Sequence, residues 1–106
     1  MRTVFTIFIM LFIGKITYAQ HTISGKVTDN ADNPIVGANV FLEGTYDGAS
    51  TDDDGNFVFE TLETGTQTLV VSMLSYETHY EMGEVSLLNN LSLKLVEAIN
   101  ALTGVT

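Results

Sequence analysis

The chain has 106 residues, with 13 acidic and 4 basic side chains, no cysteine and a formal net charge of −9. That balance disfavours nucleic acid and anionic lipid headgroups as partners, and the missing thiols exclude disulfides, cysteine-zinc sites and a lipid anchor on a leader-junction cysteine. The length suits one small domain, which buries only about 60 to 65% of the surface its unfolded chain exposes, so nearly every apolar residue must contribute to a single core.

The chain opens with Met1-Arg2 and an apolar run from Val4 to Ile13, followed by Gly14-Lys15 and then Thr17-Tyr18-Ala19, small at both ends. This order of charge, apolar stretch and small residues predicts a secretory signal over residues 1–19, cleaved between Ala19 and Gln20. A membrane helix needs about 20 apolar residues, and Lys15 interrupts this run at half that length, so no membrane span is expected in this segment. Arg2 and Lys15 leave with the leader, and the exported chain keeps Lys26 and Lys94 against all 13 acids.

Beyond the leader, Ile23 and Val27 alternate with Thr22, Ser24, Lys26 and Thr28, the period of a half-buried strand, with Gly25 on the inward phase where a close backbone approach or a bulge is expected. Asp29 to Pro34 is a turn ended by the only proline. Ala38, Val40 and Leu42 share one face of a second strand, Gly44 to Ser50 reads as a loop, and Phe57 and Phe59 share the inward face of a strand over Asn56–Thr61. After a turn at Glu63–Thr66, the segment Thr68–Tyr76 is nearly continuously apolar, as in a central strand, with Leu69, Val71 and Met73 inward and Tyr76 closing one end of the core. Glu77–Met82 and Val85–Leu95 read as two outer strands, and 96–106 as a linker. No segment carries a helical repeat. Roughly six or seven short strands punctuated by turns predict an antiparallel β-sandwich.

The stretch most suggestive of chemistry is Thr51-Asp52-Asp53-Asp54-Gly55-Asn56-Phe57. A helix-flanked calcium loop requires glycine at its sixth position. Counted from Asp52 that position is Phe57. Asp54-Gly55 is instead a tight-turn signal, because glycine accepts positive φ and aspartate accepts backbone hydrogen bonds. Asp52 and Asp54 are the only metal-ligand candidates raised, and the turn explains them without a metal. No serine lies in a nucleophile elbow, His21 and His79 have no catalytic or zinc signature, and phosphate-binding glycine loops are absent. The sequon Asn90-Leu91-Ser92 falls within a predicted strand and receives no role. Catalytic residues, cofactors and metals are therefore not expected.

Four segments in order, Ile23-Ser24-Gly25-Lys26-Val27-Thr28-Asp29, Pro34-Ile35-Val36-Gly37-Ala38-Asn39-Val40, Thr51 to Phe57, and Leu69-Val70-Val71-Ser72 with Ser75-Tyr76, closely resemble the carboxypeptidase-D regulatory-like domain. The resemblance spans Gln20 to about Leu95, and residues 20–95 are expected to form the domain. It implies a seven-stranded, transthyretin-like antiparallel β-sandwich of Greek-key type, a non-catalytic accessory module in which the acidic stretch is a turn entering a core strand. A leader followed directly by this domain also looks like the N-terminal extension of TonB-dependent, SusC-like outer-membrane receptors. The tail Val96 to Thr106 only faintly resembles the TonB box of such receptors and is carried as a linker or degenerate box.

The resemblance implies a periplasmic domain that supports energy coupling or partner docking, its partners being a periplasmic energy-coupling protein or the plug and barrel of a longer chain. The stretch after Ala19 is too short for a plug together with even a minimal barrel of about eight strands. The rival reading is an accessory folding or glycan-binding sandwich of a secreted carboxypeptidase or surface adhesion protein.

Overall fold

The computed structural model describes residues 20–98. The expected leader, its Ala19 side of the cleavage junction and the tail beyond Ala98 lie outside the described residues. Seven strands follow in order: β1 (His21–Thr28), β2 (Asn39–Leu42), β3 (Gly48–Ser50), β4 (Asn56–Thr61), β5 (Thr66–Ser72), β6 (His79–Glu84) and β7 (Leu91–Lys94). They form a three-stranded sheet in the order β4-β1-β7 and a four-stranded sheet in the order β3-β2-β5-β6.

Side-chain alternation builds the core between these layers. On β4, Phe57, Phe59 and Thr61 are buried while Asn56, Val58 and Glu60 face out. Ile23, Val27 and Leu93 complete that layer, and Val40, Leu42, Leu69 and Val71 face them from the second sheet. Because the period is two, a slip of one residue in any of these strands would turn its apolar set to water. Ile35, Ala38, Leu88 and Leu95 close the core from the connections, and Met73 and Tyr76 pack against it. Tyr76 therefore sits where its sequence context placed it.

Gly25 is the constrained point of β1. It pairs with Phe57 on one side and Leu91 on the other, and a Cβ there would lie 2.7 Å from the Leu91 carbonyl oxygen and 2.8 Å from the Phe57 ring. Only a residue without a side chain lets both neighbours close on the central strand.

The structure departs from the sequence reading in four places. Gly44 to Ser50, expected to be a loop, contains β3, which pairs with β2 through Gly48, Ala49 and Ser50. This strand is too short and too small in its side chains to show a period. Val85–Leu95, expected to be one strand, is a single 3-10 turn at Val85–Leu87, a bend through Asn89-Asn90 and then β7. Val85 and Leu88, three residues apart, both point into the core, and Asn90 takes φ 52, ending the extended run. The sandwich is also not wholly antiparallel: β7 runs parallel to β1, while the other four pairings are antiparallel. The strand expected over Thr68–Tyr76 begins at Thr66 and stops at Ser72, since Ser75 adopts φ 73 and the Tyr76 N–H donates to the Met73 carbonyl at 3.1 Å.

After β7 the chain crosses between the sheets. Leu95 donates to the Thr28 carbonyl at 2.8 Å; Glu77 donates to Val96 at 2.8 Å and Ala98 to Ser75 at 2.9 Å. The first residues of the expected linker thus lie antiparallel against the lead-in to β6.

Replacing Gly25 by alanine forces β4 or β7 away from β1, and the expected cost is about 1–3 kcal/mol. Urea unfolding monitored by circular dichroism measures it as a fall in midpoint without a change in slope.

Candidate functional site

The acidic stretch lies at the corner between β3 and β4. Asp52 Oδ1 accepts the N–H groups of Asp54 at 3.0 Å and Asn56 at 2.9 Å, the Asp52 N–H donates to the Asn56 carbonyl at 2.9 Å, and the Gly55 N–H donates to the Asp52 carbonyl at 2.9 Å. Gly55 takes φ 80. A Cβ there would lie 2.6 Å from the Val27 carbonyl oxygen, so both conformation and space require glycine. The aspartate closes a turn, and one oxygen of Asp52 is occupied by the chain's own backbone. Among the described residues no group of three His, Asp or Glu side chains is arranged to hold a metal.

The same closure recurs at the other corner, between β1 and Pro34. Asp29 Oδ1 accepts from Ala31 at 2.8 Å and Asn33 at 2.9 Å, Asp29 N–H donates to Asn33 at 2.9 Å, and Asp32 N–H donates to Asp29 at 3.1 Å. Asp32, in the place of Gly55, takes φ 65. An exposed aspartate is tolerated there, whereas Gly55 is pressed against β1. The backbone donors, Asn33 first, stabilise the ionised Asp29 and hold its carboxyl below the usual carboxylate range. Sequence composition marked both turns but not their equivalence, which lies in the shared Asp-x-x-x-Asn spacing.

Between the corners, buried Thr51 acts as a clamp that sequence reasoning missed. Its hydroxyl donates to the Ile35 carbonyl at 2.6 Å and accepts from the Ala38 N–H at 2.9 Å, while its backbone bonds Ala38 and Gly37. Buried Thr61 similarly donates to Asp47 Oδ2 at 2.7 Å and accepts from the Glu63 N–H at 3.1 Å. No buried side-chain nitrogen or oxygen lacks a partner among the described residues.

The remaining polar candidates are dispersed. His79 Nε2 lies 2.9 Å from Glu81 Oε1, a same-face pair on β6. No described serine or threonine hydroxyl bonds either histidine. Lys94 pairs with Asp32 at 2.7 Å on the surface, a contact of little energetic weight. Asn90 stands just before β7, its N–H donating to Ser24 Oγ at 3.0 Å. Tyr46 is fully exposed in the loop joining β2 to β3, while Tyr80 stands on β6 at the opposite edge of that sheet, so these two tyrosines do not converge on one site. No helix among the described residues is long and apolar enough to cross a membrane.

What the surface offers is therefore edges and faces. Strands β6 and β3 bound one sheet, β4 and β7 the other. Tyr80 and Met82 on β6 are 60% and 72% exposed.

Comparison with known proteins agrees with this architecture. The profile of the family described as CarboxypepD_reg-like domain matches residues 23–106. The chain is 37% identical over 68 residues to the TonB-dependent receptor SusC of Bacteroides thetaiotaomicron, a match covering 63% of this chain and 7% of the receptor. It is 40% identical over 60 residues to the TonB-dependent receptor P39 of Formosa agariphila, covering 57% of this chain and 6% of that one. The chain thus spans a small fraction of the length of these relatives. Among solved structures, a chain of a type II Cohesin-X-Dockerin complex from Acetivibrio cellulolyticus is similar with a TM-score of 0.63 and 26% identity, over 79% of this chain and 62% of that one.

Two outcomes are expected at the corners. Thr51→Val keeps the volume but leaves the Ile35 carbonyl and Ala38 N–H unpaired, with an expected loss of about 1–3 kcal/mol in denaturant unfolding. Asp29 has a lowered pKa in the fold, so its stabilisation is complete above the ordinary aspartate range and disappears as pH falls through the lower folded-state value. The stability difference between the wild type and Asp29→Ala should accordingly narrow on acidification through that window, as measured by thermal unfolding at stepped pH.

Proposed function

The chain belongs to the CarboxypepD_reg-like domain family, and from that membership we propose that it is the non-catalytic, periplasmic N-terminal extension of a TonB-dependent outer-membrane nutrient receptor. The observation that carries this reading is the pair of receptor relatives, each matched over more than half of this chain. The domain works by association: it docks a periplasmic energy-coupling protein, or the plug and barrel of its own longer chain, while the barrel carries the nutrient.

The side chains support a role without catalysis. The Thr51 hydroxyl, the buried hydroxyl nearest the acidic corner in sequence, is spent on two backbone groups, and Asp52 Oδ1 on two more. The solved neighbour is a chain of a Cohesin-X-Dockerin complex. The latch of Val96 and Ala98 onto Glu77 and Ser75 fits a domain whose tail is tied mechanically to both sheets.

Deleting residues 20–95 from the receptor that contains them should reduce nutrient uptake and capture of the energy-coupling partner while leaving the barrel assembled in the outer membrane. Uptake and partner capture at wild-type levels would overturn the reading.

A further inference from the structure

We propose that β6 is the docking edge, and that it receives an extended cationic segment of a partner protein as an added strand. The inference rests on the association reading above and assigns it a surface and a partner chemistry. It starts from the direction of backbone groups. The Val85 N–H donates to the Gly65 carbonyl at 3.0 Å, and the β5–β6 register continues from that pair through Gln67↔Gly83, Leu69↔Glu81 and Val71↔His79. In an antiparallel ladder hydrogen-bonded and non-bonded pairs alternate. Gly83, Glu81 and His79 therefore turn their N–H and C=O groups toward β5, and Tyr80, Met82 and Glu84 turn theirs to the open edge. β6 pairs with β5 alone, and these outward groups find no backbone partner among the described residues.

The other edges are less suited to a guest strand. β3 is three residues long, and β7 is four residues long before its chain crosses to the other sheet. β4 borders β3 at the corner of the sandwich. β6 has six residues and carries neither proline nor lysine, two of the usual protections of an edge. Beside its free backbone lie exposed Tyr80 and Met82.

Charge decides the occupant. No strand of the β6 sheet contains a lysine or arginine, since Lys26 and Lys94 both lie on the opposite sheet. Glu77 precedes β6, Glu81 and Glu84 lie on it, and the one nearby histidine is already held by Glu81. A second copy of this chain would set two acidic strands side by side, which is unfavourable. A segment alternating lysine or arginine with apolar residues satisfies the backbone, the Tyr80–Met82 surface and, on the opposite face, Glu81.

The test uses the full chain and a decapeptide of alternating lysine and valine, with a glutamate–valine decapeptide as control. The cationic peptide should slow amide hydrogen exchange at Tyr80, Met82 and Glu84 by about tenfold or more, and the acidic one should not. Met82→Pro removes an outward N–H without touching the β5 ladder, and Met82→Lys leaves the backbone intact but adds a positive charge beside Glu81 and Glu84. Each should weaken peptide binding about tenfold, whereas Val58→Lys on the outer face of the other sheet should not. Protection at β3, β4 or β7, at no strand, or equally from both peptides would overturn the proposal. So would binding unchanged by Met82→Lys, which keeps the test decisive if the proline variant unfolds. If residues 20–95 prove necessary for uptake while a Met82→Lys receptor takes up nutrient normally, the association reading stands and the β6 edge falls.

Discussion

The end of β1, from Gly25 to Thr28, is the segment on which the two sheets and both corners converge. Gly25 admits Phe57 and Leu91 to contact distance; the Val27 N–H donates to Gly55 at 2.8 Å, the Val27 carbonyl accepts from Ile35 at 3.0 Å, and the Thr28 carbonyl accepts from Leu95. Three separate stretches of chain, at Ile35, Gly55–Phe57 and Leu91–Leu95, thus depend on the end of one strand. The two glycines, 25 and 55, are there for the same physical reason: backbone from another segment occupies the volume of the missing side chain. In a chain without disulfides, such main-chain convergence and the apolar layer between the sheets carry the stability that cross-links supply in many exported domains.

The corners show how acidic residues can look like chemistry and serve architecture. Asp29 and Asp52 each accept two backbone donors and each precede a residue with positive φ. A carboxylate used in this way satisfies N–H groups that the strands leave behind at a reversal of direction. Thr51 then links the corners by bonding the segment that follows Pro34. The acidic run is therefore divided in its duties, with Asp52 inside the turn and Asp53 and Asp54 facing solvent.

Charge is distributed unevenly across the sandwich in a way that bears on function. The β4-β1-β7 sheet carries both described lysines, and the β3-β2-β5-β6 sheet carries none. The open edge of that acidic sheet exposes a tyrosine and a methionine. That character agrees with receptor relatives many times longer than this chain, in which such a domain is one component beside others.

Much of this was legible in the sequence because it rests on local rules. The inward positions Ile23, Val27, Val40, Leu42, Phe57 and Phe59 follow from a two-residue period, the turn at Asp54-Gly55 from its residue types, and the resemblance from four ordered segments. The aspartate corners of Asp29 and Asp52 were visible as turns for the same reason. What depended on distant contacts was not legible. The parallel pairing of β7 with β1, the 3-10 turn that turns Val85 and Leu88 inward, the β3 strand formed only because β2 lies beside it, and the Thr51 clamp all join residues far apart in the chain or depend on what a neighbour leaves open. Local propensity is written residue by residue, whereas register, strand direction and the partner of a buried hydroxyl exist only after the layers have met.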